Sequence, residues 1–239
     1  MNKYIVQSTI VLSSMALFLG CGSGGSNGTD SVASNNELPG VVQEAIAAPE
    51  SVLSQELTNT LAFMGNEERL AYDVYNYLYG KFGTVQFTNI ATKSEYKHIS
   101  AVQALVQKYK LDDANIFTNV DLPALGYMNT PIEAMQAGTY DISEIQALYD
   151  SLTAQGSRSE IDALNVGCII EVVDVTDLNT NIAIAQSENA ADIVTVFDYL
   201  RDGSYSHYWS FDEALKAKGI SDGCCSLGTT YCHPEYPKR

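Results

Sequence analysis

Apolar residues recur at every third or fourth position over four long stretches of the chain, and each stretch reads as an amphipathic helix. In residues 53–79 the recurring face is Leu57, Leu61, Met64, Glu68, Ala71, Tyr75 and Leu78, with Gly80 and Gly83 as stops. In residues 87–109 it is Ile90 or Ala91, then Glu95, His98, Val102 and Leu105. Residues 159–178 carry Leu164, Gly167, Cys168, Glu171, Asp174, Val175 and Leu178 on the face. Residues 189–217 carry Val196, Leu200, Ser204, His207, Phe211 and Ala214, with Gly203 counting against that helix. A break at 115–125 ends near Pro123, and two short helices are expected at 131–137 and 142–155, the first opened by Pro131. Period-two alternation is scarce, so strands are not expected.

The long helices fall into two pairs, each joined by a short loop, with roughly 50 residues between the pairs. A four-helix bundle with one long crossover is the ferritin-like arrangement, so the expected class is all-α with short helices in the crossover. The bundle is expected over residues 51–218 and a cysteine-rich tail over 219–239.

The chemistry lies in the polar residues on the apolar faces. A carboxylate inside a bundle costs several kcal/mol unless it is paired or holds a metal. Each long helix offers at least one such group: Glu68; Glu95 with His98 three residues on; Glu171; and His207. Di-iron carboxylate bundles use one Glu from each of two helices and Glu-x-x-His from each of the other two. The chain departs from that pattern at Ser204, where the fourth helix would offer Glu; Asp174, one turn after Glu171, could supply the missing carboxylate. Glu67 and Glu68 are adjacent, so one is expected inside and Glu67 in solvent. Mixed carboxylate and imidazole ligands suit iron, manganese or zinc. Two metal ions, iron first, bridged by Glu68 and Glu171, could meet dioxygen or peroxide, with Tyr72, Tyr75 and Tyr208 as candidate redox relays. Each group also has a plain reading: Asp174 bonded to Arg69 or Arg201, His207 capping a turn beside Gly203, and the others as solvated or satisfied polar residues.

Asn66-Glu67-Glu68-Arg69-Leu70-Ala71-Tyr72-Asp73-Val74-Tyr75 resembles the opening signature of a bacterial and archaeal family catalogued as a domain of unknown function, of the DUF2202 type. Phe87-Thr88-Asn89-Ile90-Ala91, Ser94 to His98, Val166 to Glu171 with Asp174, Asp177 and Leu178, and Gly203 to His207 resemble its further motifs. The resemblance spans residues 57–236. It implies a ferritin-like fold and metal binding and no particular reaction, and it implies that serine at 204 is normal.

Lys3 and the apolar run 5–19 read as a secretory signal, too short to cross a membrane. Leu17-Phe18-Leu19-Gly20-Cys21 resembles a bacterial lipobox, which implies lipidation of Cys21 after removal of residues 1–20. Gly22 rather than Asp after the cysteine is compatible with outer-membrane sorting. Residues 21–50, rich in Gly, Ser and Asn at their start, read as a flexible tether. The expected location is therefore the bacterial cell envelope, lipid-anchored at the outer membrane or cell surface.

The formal charge of −16 argues against nucleic acid as a partner, because phosphates need a basic face. Export permits disulfides among Cys168, Cys224, Cys225 and Cys232. Cys232 is expected to pair with Cys224 or Cys225, leaving the other thiol for Cys168; a Cys3His zinc site with His233 is the alternative. Two function classes follow: a di-metal oxidoreductase, ferroxidase or metal-handling protein, and a non-catalytic lipid-anchored helical protein that binds a partner.

Overall fold

The structure, a computed structural model, describes residues 37–111, 136–140 and 142–238. The expected signal, Cys21, the start of the tether, Pro123 and the helix opened by Pro131 lie outside the described residues. The helices are α1 (Gly40–Ala47), α2 (Gln55–Phe82), α3 (Val85–Ile90), α4 (Tyr96–Lys108), α5 (Ser143–Gly156), α6 (Glu160–Ser187) and α7 (Ala191–Ala217). A π-helical turn, Ala91–Glu95, joins α3 to α4 without a break. No strand occurs among the described residues.

Local chemistry sets the helix ends. The Ser54 hydroxyl caps α2 by accepting from the Leu57 amide at 3.1 Å, and Ser159 does the same for α6 from Asp162 at 3.0 Å. Helix α2 runs through Gly80 and stops at Gly83, which takes the left-handed conformation (φ 69°) that glycine adopts without cost. Helix α6 continues past its expected end at Leu178, because Ile182 and Ala185 prolong the buried face to Ser187.

Helix α2 pairs with α3–α4, and α6 pairs with α7; α5, in the crossover, lies against α2 and α6. This is the bundle connectivity expected from the pattern. The tether reading fails in one place. Residues 40–47 form α1, which packs on α7 and α4 with Val42 fully buried, because Val42 gives that stretch an apolar residue to dock.

The core is split in two. One apolar block gathers Val74, Tyr75, Leu78, Phe87, Leu164 and Phe211 with the tail's Cys224. The other gathers Leu61, Met64, Val102, Leu105, Ile182, Val196 and Leu200. Burying each such side chain stabilises the fold by about 1.5–3 kcal/mol. The stretches between the blocks on the four long helices are polar, and the candidate site lies there, in a waist with an apolar wall on either side.

The disulfide Cys168–Cys224 ties the tail to the bundle, and Cys225–Cys232 closes a loop within the tail. These are the pairings anticipated for the four cysteines, with Cys225 now identified as the partner of Cys232. The Cys3His alternative is thereby corrected, since its thiols are oxidised to disulfides; His233 stacks on Tyr236 at 4.5 Å and meets Glu235 at 2.8 Å.

Candidate metal centre

Helix α2 carries Glu68 into the waist, α6 carries Glu171, and α7 carries Ser204 and His207; all four are buried. The π-helical turn ends on Glu95, and His98 follows in α4. Such turns add a residue to the helical ring and cluster at functional sites. Here the turn ends on the residue that both halves of the site share, and His98 follows one turn later.

Two triads result. The Nδ1 atom of His98 lies 3.0 Å from Glu68 Oε2 and 2.9 Å from Glu95 Oε2. The Nδ1 atom of His207 lies 3.1 Å from Glu95 Oε1 and 3.3 Å from Glu171 Oε2. Each triad, Glu68–Glu95–His98 and Glu95–Glu171–His207, offers ligand atoms within 4.8 Å of one another. The two imidazoles face each other, with ring centres 5.6 Å apart. Glu95 is common to both triads and gives one oxygen to each. Glu68 and Glu171, expected as the bridge between two ions, each meet a single histidine.

The surroundings orient these groups. Tyr75, fully buried, donates its hydroxyl to Glu171 Oε1. Its ring packs with Phe87 and Phe211, at centroid distances of 5.9 and 5.2 Å, and closes the site on that side. Tyr208 is engaged elsewhere, donating to the Tyr231 carbonyl of the tail at 3.1 Å. Gly203 has a purpose that propensity hid. A methyl group there would sit 2.4 Å from His98 Nε2, so the glycine makes room for the imidazole while α7 continues through it. His207 lies deep within α7 and caps no turn.

Two expected residues are placed differently. Asp174 belongs to neither triad; its carboxylate accepts from Ser204 Oγ, the serine that stands where the pattern asks for Glu. Neither expected arginine holds it: Arg69 reaches the Gln136 and Thr139 carbonyls and lies over the Tyr140 ring, and Arg201 binds Asp198 and Asn179. Glu67 was expected in solvent but is buried, because α6 and its acids cover that flank of α2. A helix flanked on both sides buries more than one narrow stripe.

Burial pushes Glu68 and Glu171 above the usual carboxylate range, against the pull of His98 and His207 respectively. Burial acts on Glu95 in the same sense, but the two imidazoles beside it prevail and hold it low. Burial pulls His207 down, yet Glu171 and Glu95 hold it up at about 10. His98 is likewise raised by Glu68 and Glu95 against its burial. Asp174 and Glu67 are raised well above the usual range, by burial first and then by neighbouring acids, Glu68 for Asp174 and Asp174 for Glu67. The waist therefore holds more carboxyl groups than its two imidazoles can pair, and burial keeps protons on those left over.

That imbalance is a test of fit for metal ions. With their protons displaced, the three triad carboxyls and Asp174 would carry four negative charges, which two divalent ions would neutralise with both imidazoles neutral. Glu68 Oε1 is buried with no hydrogen-bond partner, an acceptor left over by the protein's own contacts. The donor set of carboxylates and imidazole nitrogens suits iron, manganese or zinc.

The sequence matches a domain family described as "Uncharacterized protein domain (DUF2202)" over residues 58–126 and 118–229. It is 34% identical over 171 residues to the uncharacterized protein MJ0754 of Methanocaldococcus jannaschii, across 72% of this chain and 81% of that one. A crystal structure of the hypothetical protein MJ0754 from Methanococcus jannaschii is similar with a TM-score of 0.60 at 32% identity, over 72% of this chain and 86% of that one.

Proposed function

We propose that this chain, which belongs to the DUF2202 family, is a di-metal carboxylate protein whose paired ions, iron first, take part in oxidation chemistry or metal handling. One observation carries the reading: Glu95 turns one oxygen to each of two histidines that come from different helices. A lone salt bridge needs no such sharing, whereas a pair of ions does. Glu68 and His98 would hold one ion, Glu171 and His207 the other, and Glu95 would span them. Bound iron would supply one-electron redox chemistry and Lewis acidity.

The remaining steps belong to the protein. The imidazoles and the raised carboxyls release their protons as ions enter, so uptake is coupled to proton release. Tyr75 fixes the rotamer of Glu171 through its hydroxyl, which keeps that ligand aimed at His207. Apolar blocks on both sides keep bulk water from the waist. Substrates in this reading are ferrous iron together with dioxygen or peroxide.

Export and lipidation at Cys21 belong to the same proposal, placing the domain at the cell envelope. Two disulfides support it, because such bonds persist in oxidising compartments. No helix among the described residues is long and apolar enough to cross a membrane. The other reading, a non-catalytic anchored binding protein, leaves the unpartnered Glu68 oxygen and the shared Glu95 without a cause.

Metal analysis of the purified protein tests the proposal. About two iron or manganese ions per chain, with oxygen uptake on adding ferrous iron, is the expected result. A chain that binds none of iron, manganese or zinc after anaerobic loading, yet is folded, would overturn it.

A further inference from the structure

The waist contains acids that the two triads do not use. Along α6, Glu171, Asp174 and Asp177 recur at every third residue, stepping along the helix by about 4.5 Å each time. Glu67, from α2, lies against Asp174 and shares a hydrogen bond with Asp177. It is only 9% exposed, and its Oε2 is buried with no hydrogen-bond partner. Placing acids against one another inside a protein is costly unless a shared proton or a cation lies between them.

Glu67 and Asp174 share a cavity with the carboxyl groups of the triads. Glu67, Glu68, Glu95, Glu171 and Asp174 line one space of about 70 Å³, and the rest of its lining is apolar. No lysine, arginine or histidine lines it. About 10–15 Å³ of such space holds one water, so the cavity has room for an ion together with water. An anion would find no cationic side chain on its walls, and a cation would find five carboxyl groups. Asp177, half-buried, marks the outer end of the ladder.

We propose that Glu67, Asp174 and Asp177 form a third, transit site for a divalent metal ion, through which ions pass between solvent and the two-histidine centre. On this view the ions are cargo that moves through the protein as well as occupants of the centre. The inference rests on the di-metal reading above. An all-oxygen site binds first-row metals more weakly than one that includes imidazole, which suits a stopping point on the way to a tighter one.

The test uses the full folded domain with its disulfides intact and Mn²⁺ or Fe²⁺ as probe. Calorimetric titration of the wild type with Mn²⁺ is expected to show two tight ions and a third, weaker one. Glu67→Gln and Asp177→Asn, near-isosteric changes, should keep the two tight ions and lose the third. Stopped-flow loading of the centre by Fe²⁺ should slow about tenfold in each, as expected for loss of an acidic funnel. Crystals of the wild type soaked in Mn²⁺ should show an anomalous peak among Glu67, Asp174 and Asp177, a readout that needs no variant. Two tight ions, no third peak and unchanged loading rates in both variants would overturn the transit site and leave the di-metal centre standing. A wild type that binds no ion would overturn both.

Discussion

Replacing Gly203 by alanine sets two effects of opposite sign against each other. On helix propensity alone, alanine in α7 should stabilise the protein by about 1 kcal/mol. The structure demands the reverse. The added methyl would meet His98 Nε2 at 2.4 Å and Cε1 at 2.5 Å, well inside contact distance. The ring cannot simply retreat, because its far edge already stands 3.0 and 2.9 Å from Glu68 and Glu95. It is also boxed in by Tyr199, edge-on at 5.4 Å between ring centres, and by His207. The imidazole must turn away and surrender one or both contacts to charged partners, each worth about 1.5–3 kcal/mol. With the propensity gain subtracted, the expected loss is about 2 kcal/mol, or a fall of about 4–8 °C in Tm for a domain of this size. Thermal denaturation of the metal-free, disulfide-intact protein measures it. The decisive control is a His98→Ala background, in which Gly203→Ala should become stabilising. A stabilised single variant with unchanged metal content would refute the argument that this glycine exists for the histidine.

Other perturbations have separable outcomes. Glu95→Ala should cost both ions, whereas Glu68→Ala and Glu171→Ala should each cost mainly the ion beside His98 or His207; elemental analysis after loading distinguishes them, and an Glu95→Ala protein that still holds two ions contradicts the shared-carboxylate geometry. Removing the Cys168–Cys224 bridge, which spans 56 residues, should destabilise by about 4 kcal/mol, and removing Cys225–Cys232, which spans 7, by about 2.5 kcal/mol, as read from denaturant midpoints of Cys→Ala pairs. Asp192, buried, accepts from Tyr109 and pairs with Lys108 at 2.5 Å, and its carboxyl is held below the usual range by Lys108 and Tyr109 despite burial. Its stabilising effect should be complete above the ordinary aspartate pKa of about 4 and fade as pH falls below that. The stability gap between wild type and Asp192→Asn should therefore close on acidification, and a gap constant from pH 6 to pH 2 would contradict the assignment.

Much of the candidate site was legible in the sequence because helical spacing converts directly into shared faces. Glu68, Glu95, His98, Glu171 and His207 stand out as polar residues at apolar positions, and the structure brings all five together. That Glu95 meets both imidazoles was not legible, since it depends on a π-helical turn at its position and on which of two oxygens meets which imidazole. Glu67 was misplaced because a single-helix pattern cannot show that a neighbouring helix covers a second flank. Gly203 counted against its helix when judged by propensity, and only the approach of His98 from another helix explains it.

Periodicity and composition by themselves determined the all-helical class, the pairing of long helices around a crossover, the five residues of the two triads, and the cysteines available to tie down the tail. These are consequences of local order along the chain, where spacing and residue type suffice. Which carboxylate is shared, which glycine yields space, where Asp174 finds its hydrogen bond, and which cysteine meets Cys168 were decided only by tertiary structure. Each depends on atoms from two or more helices meeting at about 3 Å, and no one-dimensional pattern carries distances between segments that fold brings together.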